Sequence, residues 1–155
     1  MKSNNIEFFD TLFSRQSDPY GRELYKIEKN KIIIEKWREK FAKRLHDQTG
    51  EWSAGGYCWH IFRLGYAPAL EGDEAIERYH KLKTTRGFVF THPGSKHPLA
   101  CLAPQLPSFV AIEYALSLFR ELADVYVVDR DFAWTFVVTH EKSYGIGPFF
   151  CEALS

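Results

Sequence analysis

His140 and Glu141 follow directly on a run of β-branched and aromatic residues, and imidazole and carboxylate are the side chains that most often carry protons or hold metals. Strand geometry separates them. If Ala133 to Glu141 stays extended, Trp134, Phe136, Val138 and His140 share one face and Glu141 points to the other. They converge only at a strand end or bulge. With Asp129 at the start of the same hairpin, His140 and Glu141 make up the candidate acid–base set. His60 is a fourth candidate, because it interrupts the otherwise apolar run Tyr57 to Phe62 and a buried imidazole needs partners for its ring nitrogens. Its same-face neighbour on a strand is Cys58. A thiolate–imidazolium pair there would make a nucleophile, whereas the burial habit of Cys favours an inert core thiol beside a hydrogen-bonded histidine. Trp134 and Asp131 of the hairpin, together with Trp59, are the candidate binding residues.

Other chemistries are poorly represented. There is no phosphate-binding loop ending in Lys-Ser/Thr, no Gly-x-Ser-x-Gly elbow and no His-Glu-x-x-His. Gly50 to Gly55 misses the elbow spacing, and Gly145-Ile146-Gly147-Pro148 reads as a turn because Pro148, Phe149 and Phe150 stand where a phosphate-cradling helix would open. His92 and His97 flank a Pro-Gly turn without a third ligand nearby, and Cys58, Cys101 and Cys151 form no Cys-x-x-Cys pair. No metal and no cofactor is expected.

The elements that must position these residues are legible in the periodicity. Asn30 to His46 carries one apolar stripe, Ile33, Ile34, Trp37, Phe41 and Leu45, and reads as a helix. Its basic residues are interleaved with Glu35 and Glu39, so a solvated face is expected rather than a nucleic-acid surface using Trp37 and Phe41. A short helix is expected at Ser3 to Phe13, a central strand at Tyr57 to Phe62, a helix at Glu71 to Leu82 and a strand at Arg86 to Thr91. Four prolines between His92 and Pro107 leave room for a short strand at Leu99 to Leu102. Ser108 is placed to cap a helix reaching Leu122. Val125 to Val128 and Ala133 to Thr139 form the strongest β signal, a hairpin turning at Asp129, Arg130 and Asp131. The reading is a single α+β domain, residues 1–155, with a mixed or antiparallel sheet of four to five strands and helices mainly on one face.

Size and composition agree with one domain: 155 residues, 45% hydrophobic and 16% aromatic. Twenty Lys plus Arg balance twenty Asp plus Glu, so no global field draws the chain to nucleic acid or an anionic membrane. Met1 to Asp10 lacks the layout of a signal peptide, and Phe109 to Phe119, the longest apolar stretch, is broken by Glu113 and too short to span a bilayer. With unpaired cysteines, this points to a cytoplasmic protein.

The block from Asp124 through Val125-Tyr126-Val127-Val128-Asp129 and Trp134 to His140-Glu141, continuing through Gly145 to Phe150, resembles the C-terminal signature of domain of unknown function family 4275, a family of small bacterial proteins. Weaker echoes occur at Trp59 to Phe62, at Leu70 to Gly72 with Ala75, and at Trp37 with Phe41 and Ala42, so the resemblance covers Ile33 to Phe150. Between His92 and Ala123 the chain departs from the pattern, being longer and richer in proline. The resemblance implies a bacterial, cytoplasmic protein and no particular reaction. Missing catalytic motifs, small size and abundant aromatics favour a non-enzymatic binding or regulatory module with a protein partner. The alternative is a small hydrolase or metal-assisted enzyme using His140, Asp129 and Glu141. A structural protein assembling through an exposed sheet edge is a third possibility.

Overall fold

In a computed structural model, residues 8, 9, 11–13, 23, 24, 27–54, 57–83, 86–91, 93, 100–103, 105–119 and 124–153 are described. Seven antiparallel strands form one sheet in the order β1-β4-β3-β5-β6-β7-β2. They are β1 (Glu23–Leu24), β2 (Leu70–Glu71), β3 (Gly87–Thr91), β4 (Ala100–Ala103), β5 (Val125–Asp129), β6 (Trp134–Val138) and β7 (Phe149–Glu152). Five helices accompany them: α1 (Ile27–Phe41), α2 (Lys43–Thr49), α3 (His60–Arg63), α4 (Asp73–His80) and α5 (Phe109–Leu118).

The α+β class holds, and two of its expected details are corrected. The sheet exceeds four to five strands, because β1 and β2 are two-residue strands too short to show periodicity and β7 follows the Gly145–Pro148 turn. Helices also cover both faces rather than mainly one. On one side α1, α2 and α3 bury Ile33, Ile34, Trp37, Phe41, Leu45, Ile61 and Phe62 against Phe90, Tyr126, Val137 and Phe149. On the other, α4 and α5 bury Ala75, Tyr79, Phe109, Ile112 and Ala115 against Val89, Val125, Val127, Phe136 and Phe150, with Phe8, Phe9 and Leu12 of the N-terminal helical residues. Strands covered on both faces read as continuous apolar runs, and β5 and β6 are buried at every position.

Local chemistry accounts for the helix ends. The stripe from Ile33 to Leu45 continues through a break at Ala42, and Gly50 closes α2 in the left-handed conformation, its N–H donating to the His46 carbonyl at 2.8 Å. Ser108 caps α5, its hydroxyl oxygen accepting from the Ala111 N–H at 3.1 Å. Trp37, wholly buried, donates its indole N–H to Thr135 Oγ1 at 2.9 Å, and that hydroxyl donates to the Val127 carbonyl at 2.8 Å, pinning α1 to the central hairpin. No described helix is long and apolar enough to cross a membrane.

The expected strand at Tyr57 to Phe62 is instead a turn leading into α3, paired only through an isolated Ala54–Tyr57 bridge. An apolar run of six residues fits a buried helical turn as well as a buried strand, so periodicity alone does not decide between them. Cys58 and His60 therefore do not share a strand face.

The buried acids of this core give a stability prediction. Burial pushes the Cys151 thiol up to about 12 and raises the Cys58 thiol and the Tyr79 and Tyr126 phenols above their ordinary values of 9.0 and 10.0. The folded state thus holds these protons more tightly than the unfolded chain does. Their contribution is complete below pH 9 and is lost as pH rises from there through about 12. Urea unfolding midpoints should fall steeply over that interval, and a midpoint constant to pH 12 would refute the burial argument.

Candidate acid–base site

Hairpin register explains why residues at opposite ends of the Asp124–His140 segment meet. Val125 pairs with Val138, so position 124 stands opposite 139 and beside 140 at the open end of the hairpin. β6 ends at Val138, and the chain turns: the Thr139 hydroxyl donates to the Ile146 carbonyl at 2.9 Å and accepts from the Glu141 N–H at 3.2 Å. Lys142 ties the same turn to α5 through Glu113 at 2.6 Å. The strand end releases His140 from the face of Trp134, Phe136 and Val138 and brings its ring beside Tyr57 and Trp59.

Asp124 is the centre of the arrangement. Its fully buried carboxylate accepts the Trp59 indole N–H at 3.1 Å on Oδ2, and on Oδ1 both the His140 backbone N–H at 2.8 Å and the His140 ring at Nδ1, 2.9 Å away. A carboxylate accepting at Nδ1 fixes the ring proton there and leaves the Nε2 lone pair free in the neutral imidazole. The His140 side chain is 32% exposed and hydrogen-bonds no other described residue, so Nε2 is available to solvent or a small molecule.

Aromatic packing holds the ring plane. The Tyr57 ring lies 4.9 Å from that of His140 and 5.4 Å from that of His60, while Trp59 lies 6.2 and 4.3 Å from the same two rings. Trp59 is itself stacked on Phe149 at 6.1 Å. His60 and His140 thus border one aromatic pair, although one leaves α3 and the other leaves β6.

A polar layer lies in the core near Asp124. Burial raises the Cys58 thiol; the Arg38 charge and hydrogen bond pull against that, and the Asp124 charge adds to it. The net direction is upward, so Cys58 stays a thiol and is not the activated nucleophile. Burial, with Cys58 and Asp124 adding to it, also raises the Tyr126 phenol. Its hydroxyl is buried without an ordinary hydrogen bond among the described residues, and the Trp59 backbone and the Arg38 charge pull the phenol the other way.

The remaining candidates are dispersed. Asp129 caps the far end of the hairpin, its Oδ2 accepting from the Asp131 and Ala133 N–H groups at 3.2 and 3.1 Å. Five residues of strand, roughly 16 Å, separate it from Asp124. Glu141 is half-buried in the turn beside His140. Trp134 packs on the opposite face, stacked on Phe150 at 5.8 Å and edge-on to Tyr79 at 6.0 Å. Asp131 is exposed at the hairpin tip, and Trp59 is buried as the donor to Asp124. His92 and His97 lie outside the described residues. Among the described residues no group of three or more His, Cys, Asp or Glu is placed to hold a metal.

Asp124 is the residue that reading by type overlooks. A carboxylate immediately before a fully apolar strand, opposite a histidine at the exit of its hairpin partner, is the signal that would have found it.

Compared with known families, residues 20–150 match the one described as Domain of unknown function (DUF4275). No curated protein and no solved structure matches the chain.

Proposed function

We propose, for a chain that belongs to the DUF4275 family of unknown function, that His140 is the proton carrier of a small hydrolytic site and that Asp124 orients it. The observation carrying this reading is the buried carboxylate that holds Nδ1 and the backbone N–H of one half-exposed histidine. Water at Nε2 gives that nitrogen a proton as its oxygen bonds to an electrophilic carbon or phosphorus of the substrate. The imidazolium, stabilised by Asp124, then returns the proton to the leaving group as the scissile bond breaks. Tyr57 and His60 border the reacting side. Asp129, expected from its type to share the acid–base work, takes no part, and Asp124 fills that place.

The test is turnover of p-nitrophenyl acetate, p-nitrophenyl phosphate and bis(p-nitrophenyl) phosphate by the pure protein and by His140→Gln. At least one ester should be cleaved above the buffer rate, and the variant should lose that rate with an unchanged circular dichroism spectrum. Failure to cleave any of the three, or a rate that His140→Gln leaves intact, removes the reading.

A second reading, a partner-binding module, is favoured by one observation. Val110, Tyr114 and Leu118 recur every fourth residue on α5, and all three are exposed. Such a stripe is typical of a helix face used for docking. Binding that Leu118→Asp abolishes while ester cleavage persists would assign the interaction to this face.

A further inference from the structure

A cleft lies away from His140. It has a volume of about 690 Å³ and runs between the α1–α2 junction and Trp52 with Tyr66, Ala67 and Pro68, bordered by Cys151 and Glu152 of β7. Those two residues pair with Thr135 and Trp134, at the turn end of the β5–β6 hairpin, whereas Asp124 and His140 occupy the open end. The cleft is thus a separate site. Its size falls within the roughly 300–1,000 Å³ of pockets that take small organic molecules.

Its lining combines aromatic surface with uncompensated positive charge. The His46 and Trp52 rings stack at 3.9 Å and 13°, which holds the indole at the cleft, and Phe41 and Tyr66 supply further apolar surface. Of the four tryptophans, Trp37, Trp59 and Trp134 are buried and Trp52 is partly exposed. Two of the acidic residues at the rim are already neutralised: Asp47 by Lys43 at 3.1 Å, and Glu152 by Arg78 at 2.7 Å. Lys40 and Arg44 make no ion pair with any described residue and outnumber the remaining rim carboxylate, Glu39. A smaller hollow shares Glu39 and Lys40 and continues the positive side through Lys36 and Arg130, opposed by Asp131.

We infer that this cleft binds a planar aromatic anion, its ring against Trp52 and Tyr66 and its carboxylate or phosphate between Lys40 and Arg44. Aromatic faces select flat π-systems, and a cationic pair at the edge of an apolar cleft selects the charged substituent. The site stands independently of the reading at His140.

Quenching of Trp52 fluorescence tests it directly, with AMP and 1-naphthoate as probes for the phosphate and carboxylate forms. Adenosine lacks the charge and ribose 5-phosphate lacks the ring. Saturable quenching is expected with at least one of the two aromatic anions, and both controls should bind at least about tenfold more weakly, since each lacks one of the two contacts. Lys40→Gln combined with Arg44→Gln alters only exposed side chains and should weaken binding by about tenfold or more. Trp52→Phe should remove the optical signal while calorimetry still detects binding. No saturable signal with either AMP or 1-naphthoate, or equal binding of a probe and its control, overturns the assignment.

Discussion

Asp124→Ala lowers the stability of the protein by about 3–5 kcal/mol, because it strips the shared acceptor from three donors at once. The Trp59 indole N–H has no access to water as a substitute, Trp59 being wholly buried. The His140 ring is half-exposed and recovers part of its loss from solvent. Asp124→Asn keeps one acceptor oxygen and turns an amide toward donors, so it should unfold at a midpoint between alanine and the parent. If the site is hydrolytic, the asparagine variant should also lose about 10²–10⁴-fold in rate while folded, the range expected when a histidine loses its orienting carboxylate. Urea unfolding and ester turnover on the same preparations separate the two effects. By contrast Asp129→Ala removes two turn hydrogen bonds at the hairpin tip and leaves turnover unchanged. An Asp124→Ala variant as stable as the parent would show that the carboxylate is not the centre of this end of the fold.

The second large effect lies in the sheet itself. A Cβ on Gly87 would stand 2.4 Å from the Val128 carbonyl oxygen and 3.1 Å from Leu106 Cδ2. The first obstacle is the backbone of β5, the central strand that pairs with β3 from Gly87↔Asp129 to Thr91↔Val125. It cannot rotate away as a side chain would. Gly87→Ala should therefore cost about 3 kcal/mol by forcing β3 and β5 apart at this end. Hydrogen exchange should show the loss of protection beginning at Val128 and Asp129. An unchanged urea midpoint would mean that the strands can separate locally without penalty, contrary to the close approach seen here.

How much of this was readable in advance differs between elements. The stripe from Ile33 to Leu45, the Ser108 cap and the Val125–Thr139 hairpin announce themselves because each rests on local periodicity or capping chemistry. The turn and helix at Tyr57 to Arg63 did not, because an apolar run carries no period that separates one buried element from another. The second helical layer was hidden for a related reason: the uninterrupted apolar character of Val125 to Val128 signals burial on both faces, but not which helices supply it. At the site, His140 is conspicuous by type and Asp124 is not, since its role depends on hairpin register and on an indole contributed from 65 residues away. Asp129 looked equivalent by composition, yet it occupies the end of the hairpin where a carboxylate serves backbone amides.

The outermost strand β2 offers another kind of consequence. At one rim of the sheet, between Ala69 and Gly72, it is two residues long and presents a ladder of roughly 7 Å. A foreign strand adding to this rim would find about one repeat of main-chain donors and acceptors before the template ended. Such brevity is a common defence against runaway strand addition, the first step of cross-β aggregation. Continuing the sheet at β2 is thereby disfavoured, whereas the Val110, Tyr114 and Leu118 face offers a side-chain surface through which copies can associate.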